Sequence, residues 1–204
     1  MPGAGSGDQR SVERLLLAST SLRRTAILEQ LGVPFDVVAP SYEEEDIAGR
    51  RPGEVVATHA TGKAQSVRNA YPDRLILGVD TGVALGDQLY GKPRDDEDAV
   101  RILSTLAGET HTVVSGICLL DGQNADVEVE ATAVTFKALS RTQIERYVAQ
   151  GEWQGLAGGY AIQGRGALFV ERVEGDYLNV VGLPSALLVR MLERRRPALV
   201  SIGT

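Results

Sequence analysis

The sequence predicts an α/β fold built on a mixed sheet. Strand-like and helix-like segments interleave along most of the chain. Two long β runs, 111–120 and 127–139, follow one another across Asp121-Gly122. The composition, 43% hydrophobic and 24% charged over 204 residues, is that of a chain able to bury a core.

Residues 1–9 are Gly, Ser and Pro with little apolar content and read as a flexible N-terminal tail. Gly3, Gly5 and Gly7 follow no strand, so they are not a dinucleotide fingerprint. One domain is expected over 10–196, with a C-terminal tail over 197–204. Residues 15–18 form a short apolar strand and Ser19-Thr20-Ser21 a polar turn. Residues 22–31 read as a helix, with Ile27, Leu28 and Leu31 on one face and Gly32 as its stop. A second strand occupies 35–38, and the polar, acidic segment 40–52 is a loop. Helical period runs through 53–70, aligning Val55, Val56, Ala60, Ala64 and Val67.

A compact strand at 75–79 ends in Asp80-Thr81-Gly82. Residues 83–85 and 89–90 make a hairpin about Gly86-Asp87. Segment 95–106 is a helix with acids in its first turn and Gly108 past its end. After the two long β runs, Ser140 and Gln143 form a capping box for a helix through Val148. A Gly-rich stretch, 155–166, precedes a strand at 168–173. Gly175-Asp176 turns the chain toward 179–181, and a final helix covers 184–194.

Lys plus Arg is 21 and Asp plus Glu 27, a net charge of −6. That argues against a nucleic-acid binder but leaves room for a local basic cluster holding a small anion. One cysteine, no signal peptide and no apolar run of about 20 residues point to a cytoplasmic protein without a membrane span.

Several residues carry candidate chemistry. Arg23 and Arg24 stand in the first turn of a helix, where the macrodipole prefers acids, and a local rule broken this way often marks a site. With the Ser19 and Ser21 hydroxyls and free backbone N–H groups they could hold a polyphosphate. The alternative is two solvated arginines and a Ser N-cap. Asp80 could hold a divalent metal or orient a water from a strand's carboxyl end, or could simply close an Asx-turn. Lys92, between Gly91 and Pro93, could be a point charge on phosphate or a plain loop lysine. Lys63 reads alone as a solvated helix residue. The run Glu43 to Asp46 offers hard oxygen ligands for Mg²⁺ or Mn²⁺, or a solvated loop. Gln163, among glycines, can donate and accept at a pyrimidine edge, or belong only to a tight loop. P-loop, zincin, G-x-S-x-G and paired C-x-x-C motifs are absent, and His59 and His111 are too isolated for a zinc site. Cys118 reads as a buried small hydrophobe.

In order, ASTSLRR at 18–24, GVDT at 78–81, GKPRD at 91–95, AGGYAIQG at 157–164 and NVVGLP at 179–184 resemble the Maf family of nucleoside triphosphate pyrophosphatases. The resemblance spans roughly 14–192. It implies a long, bent mixed sheet with two lobes about a cleft, as in inosine triphosphate pyrophosphatases. It also implies hydrolysis between the α- and β-phosphates, a divalent cation and a homodimer. By motif, Asp80 matches the catalytic proton acceptor. Arg23, Thr81 and Gln163 match substrate-choice positions, Arg24, Lys63 and Lys92 phosphate-binding basics, and Glu44 a metal ligand beside Asp80. The Tyr-x-Ile-Gln-Gly form is similar to the subgroup acting on dTTP and UTP. Two departures are Leu22 in place of the usual Pro, and Leu156 in place of a frequent Lys. Two other readings remain: a broad pyrophosphatase of modified nucleotides, and a division-regulating partner protein whose hydrolysis is incidental.

Overall fold

Four consecutive buried aliphatic residues make β1 (Leu15–Ala18), the pattern of a strand covered on both faces. In the computed structural model, which describes residues 13–44 and 49–200, β1 pairs in parallel with β2 (Phe35–Val38) and with β3 (Leu75–Leu85). The tail expected at 1–9 and residues Glu45 and Asp46 of the acidic run lie outside the described residues. α1 (Leu22–Gln30) and α2 (Pro52–Arg68) make the two crossovers. Beyond β3 the pairing is antiparallel, through β4 (Gln88–Tyr90), β5 (Thr110–Asp121), β6 (Asn124–Phe136) and β7 (Val170–Glu174). The described residues thus form a seven-stranded mixed sheet in the order β2-β1-β3-β5-β6-β7, with β4 on β3. The α/β expectation holds.

Helices cover both faces. α2 packs on one, over Leu16, Ile76, Cys118 and Leu120. Its approach is set by two glycines of the sheet. A Cβ on Gly78 would stand 2.0 Å from the Ala60 carbonyl oxygen, and one on Gly116 would stand 2.5 Å from that of Val56. The larger core fills the other face. There α1, α3 (Asp96–Leu106), α4 (Arg141–Val148) and α6 (Ser185–Arg195) bring Leu28, Leu103, Ile144 and Leu188 together. Both halves of the α4 capping box form: Ser140 Oγ accepts from the Gln143 amide, and Gln143 Oε1 accepts from the Ser140 amide.

Three expectations need correction, and the segment 179–181 proves helical. The strand at 75–79 does not end before Asp80. β5 pairs with β3 residue by residue from Leu75 to Ala84, and this ladder carries the strand through Asp80-Thr81-Gly82. β6 starts at Asn124, because the turn after Asp121 is only two residues long. Residues 179–181 end a helix, α5 (Tyr177–Val181), whose first-turn amides at Leu178 and Asn179 donate to Asp176 Oδ1. Packing also runs past 196: Pro197–Leu199 is a 3₁₀ turn, and Leu199 sits in the core.

His111 lies in that core, its ring edge-on to Phe136 and its Nε2 2.9 Å from the Tyr160 hydroxyl. Burial pushes its pKa down from 6.5 to about 4. As pH falls below 6.5 the unfolded chain takes up this proton first, so stability is lost between about 6.5 and 4 and is untouched by this group above 7. The expected loss at pH 5 is about 2 kcal/mol. Urea unfolding at pH 7 and pH 5 checks this. His111→Phe should be less stable at both, with a smaller difference between them. An undiminished difference would assign the acid sensitivity to other groups.

Candidate active site

β1 and β4 both pair along one flank of β3, but not continuously. β1 stays paired as far as Gly78, and β4 begins at Val83. Between them β1 has turned away into Ser19-Thr20-Ser21 and α1. The stretch of β3 left between carries Asp80 and Thr81. In open α/β sheets this parting of chains beyond a strand's carboxyl end is where ligands enter. The strand that ends there is β1, not β3. A cleft of about 1170 Å³ opens at this point.

Side chains alternate along β3, so Gly78 and Asp80 share the face covered by α2. α2 presents Lys63 to that face one turn beyond His59. Lys63 is 7% exposed, and its Nζ lies 2.6 Å from Asp80 Oδ1 and 2.6 Å from Glu44 Oε1. It is therefore not a solvated helix residue. It bridges the two carboxylates named from the sequence. Burial acts to raise the pKa of Glu44, but the hydrogen bond and charge of Lys63, helped by Lys92 and His59, outweigh it and hold the carboxyl below its ordinary range.

Thr81 points to the other face, where Arg24 gathers three groups. Arg24 donates from Nε to the Gly182 carbonyl (2.9 Å), from one terminal nitrogen to Ser19 Oγ (3.2 Å) and from the other to Thr81 Oγ1 (3.2 Å). Thr81 in turn shares a hydrogen bond with Ser115 Oγ at 2.9 Å. Arg23 Nε donates to the Val181 carbonyl. Both arginines thus serve the carbonyls at the C-terminal end of α5, where cations are favoured. That explains why they tolerate the first turn of α1. Burial lowers the Arg24 pKa from its ordinary value, with the Asp80 charge opposing.

Ser21 does not cap α1 with its side chain. Its amide donates instead to Ser19 Oγ, and the first turn of α1 carries no side-chain cap at the cleft wall. Such a helix start accepts an anion.

Lys92 and Gln163 are exposed, and both line the cleft. Their loops are joined where the Gly158 amide donates to the Gly91 carbonyl. Ser19, Arg23, Arg24, Glu44, Lys63, Asp80, Thr81, Lys92 and Gln163 therefore all reach one cleft, whereas Glu43 does not line it. Lys63, Asp80 and Ser19 are buried and Arg24 and Thr81 half-buried, all paired within the protein, while Glu44, Arg23, Lys92 and Gln163 are exposed. Leu22, 84% exposed, stands at the cleft, and Leu156, 6% exposed, lines it with an apolar surface.

Sequence reasoning missed Tyr42 and His59. The Tyr42 hydroxyl is 3.0 Å from His59 Nδ1, and both line the cleft. The usable signal was the four-residue spacing of His59 and Lys63, which puts them on one helix face. Ser115 and the carbonyl of Gly182 carried no local signal.

A mixed α/β sheet that sets two carboxylates, a buried lysine and two arginines about one cleft suits a small polyanion. The chain belongs to the Maf family: the model of that family, described as Maf-like protein, matches residues 14–195. It is 46% identical over 179 residues to the dTTP/UTP pyrophosphatase of Gloeobacter violaceus, covering 88% of this chain and 94% of that protein. It is 43% identical over 185 residues to the dTTP/UTP pyrophosphatase of Dictyoglomus turgidum, covering 89% and 96%. To that of Pyrococcus furiosus it is 41% identical over 184 residues, covering 89% and 95%. Among solved structures, the Ham1 protein of Staphylococcus aureus superposes with a TM-score of 0.43 at 14% identity, over 61% of this chain and 72% of that one.

Proposed function

We propose that the chain hydrolyses dTTP and UTP to the monophosphate and pyrophosphate, in this cleft. The observation that carries the reading is the Glu44–Lys63–Asp80 cluster, set where β1 parts from β3 and flanked by Arg24. The relatives' activity on dTTP and UTP supports the substrate.

Asp80 is assigned as the proton acceptor for the water that attacks the α-phosphorus. Its carboxylate is held in place by Lys63. As that P–O bond forms, the bond to the bridging oxygen breaks and pyrophosphate leaves. Arg24, Lys63 and Lys92 offset the charge of the phosphates. Arg24 uses three of its five N–H bonds on the protein, which fixes its plane and leaves two for an anion. Arg23, Thr81 and Gln163 are assigned to substrate choice, and Ser19 to the phosphate wall.

The donor set fits a divalent cation. Mg²⁺ is commonly held by one or two carboxylates plus substrate phosphates, and Glu44 and Asp80 converge on one ammonium. When bound, Mg²⁺ or Mn²⁺ would polarise phosphate oxygens between these carboxylates. The reading includes a cytoplasmic homodimer.

Incubation with UTP or dTTP and Mn²⁺ tests the proposal. Pyrophosphate with the monophosphate is expected. Orthophosphate alone would indicate a phosphatase. Binding without product would favour a nucleotide-dependent regulator.

A further inference from the structure

Gln163, the residue assigned to base reading, makes no hydrogen bond to the protein among the described residues, so its backbone must be aimed from elsewhere. The loop that carries it is tied at both ends to one carboxylate–phenol pair. Glu152 Oε1 accepts from the Gly166 amide at 3.1 Å and from the Tyr147 hydroxyl at 3.1 Å. Glu152 Oε2 accepts from the Arg165 amide at 3.0 Å. The same Tyr147 oxygen accepts from the Ala161 amide at 3.3 Å. Within the loop the Gly164 amide donates to the Ala161 carbonyl, which closes the turn around Gln163.

The fit is close. A Cβ on Gly164 would stand 2.6 Å from a Glu152 carboxylate oxygen, so the loop lies against that group without an intervening side chain. Tyr147 is itself fixed: it is buried, and its ring meets Phe169 edge-on at 4.9 Å. Among the described residues Glu152 forms no ion pair with a lysine or arginine. Its acceptor capacity goes to two backbone amides and one hydroxyl, the pattern of a group that sets geometry. Hydrogen bonds onto the ionised form also outweigh burial and keep its carboxyl below the ordinary range.

We propose that Glu152, acting with Tyr147, is the positioning residue that holds the 161–166 loop so that Gln163 meets the base. This rests on the pyrimidine nucleotide pyrophosphatase reading above and adds to it a residue that touches no substrate.

Glu152→Gln tests it, because the amide offers one accepting oxygen where the carboxylate offers two. Steady-state rates with UTP, dTTP and CTP are measured. KM for UTP and dTTP should rise about tenfold while kcat changes less, and the preference over CTP should shrink. Tyr147→Phe should act in the same direction but more weakly. In a Gln163→Ala background, Glu152→Gln should cause no further loss of preference. An unchanged preference, or an equal further loss in that background, would overturn the proposal.

Amide hydrogen exchange on the free protein gives a readout that needs no substrate. Protection over 161–166 should fall in Glu152→Gln while the rest of the fold keeps its own. Unchanged protection would overturn the clamp and leave the substrate reading standing. A wild-type protein that releases no pyrophosphate would sink the substrate reading, while exchange would still decide the clamp.

Discussion

Asp80→Asn should bind UTP with nearly unchanged affinity and release pyrophosphate about 10²- to 10⁴-fold more slowly, the range expected when a general base is lost. Asparagine keeps the shape and one oxygen that can accept from Lys63, but it cannot take up the water's proton. The fold should survive, because Glu44 still pairs with the Lys63 ammonium at 2.6 Å and no buried charge is orphaned. Single-turnover kinetics beside equilibrium binding separate the two effects. Turnover near wild type would remove Asp80 from the proton-acceptor role. A large loss of binding with little change in turnover would instead make it a binding residue.

Gly78→Ala should be the most damaging small substitution in the sheet. The new methyl would lie 2.0 Å from the Ala60 carbonyl oxygen and 3.0 Å from Ala64. Backbone, not a flexible side-chain tip, must give way. Displacing α2 is expected to cost about 3 kcal/mol or more. For a chain of this size that is about 6–12 °C in Tm. Lys63 lies between those two alanines in α2, so any protein that still folds should also lose activity. Gly91→Ala is the control, since a Cβ there meets nothing within 4 Å. Thermal unfolding of the pair decides it, and equal melting temperatures would mean the helix does not rest on the sheet as closely as described.

Local sequence was a good guide wherever local physics decides. The β1–α1–β2 run, α2, α3 and the Ser140–Gln143 capping box lie within a residue or two of where periodicity and caps place them. It misled where a partner far along the chain decides. Asp80-Thr81-Gly82 has turn composition, yet β5, more than thirty residues on, pairs straight through it. Lys63 looked like a surface residue because it is charged, although it borders the apolar stripe of α2, and the carboxylates that pair with it come from elsewhere in the chain. Gly78 and Gly116 set how closely that face approaches the sheet. Arg23 and Arg24 looked misplaced at a helix start until the carbonyls of 181 and 182 supplied their partners. The ordered motifs identified the site's members, but their pairing within it came only from the fold.

The bridging of Asp80 and Glu44 by Lys63 also bears on how a ligand finds the cleft. Two carboxylates lie close to two cations, Lys63 and Arg24, so their fields largely cancel at a distance. What an approaching polyanion feels first is Arg23, Arg50 and Lys92, all exposed at the cleft, against a molecule of net charge −6. Beyond about 8 Å at physiological ionic strength even those are screened. Diffusional capture is therefore weakly steered. The strongest charges act only after entry, when the polyanion and the two carboxylates compete for the same ammonium.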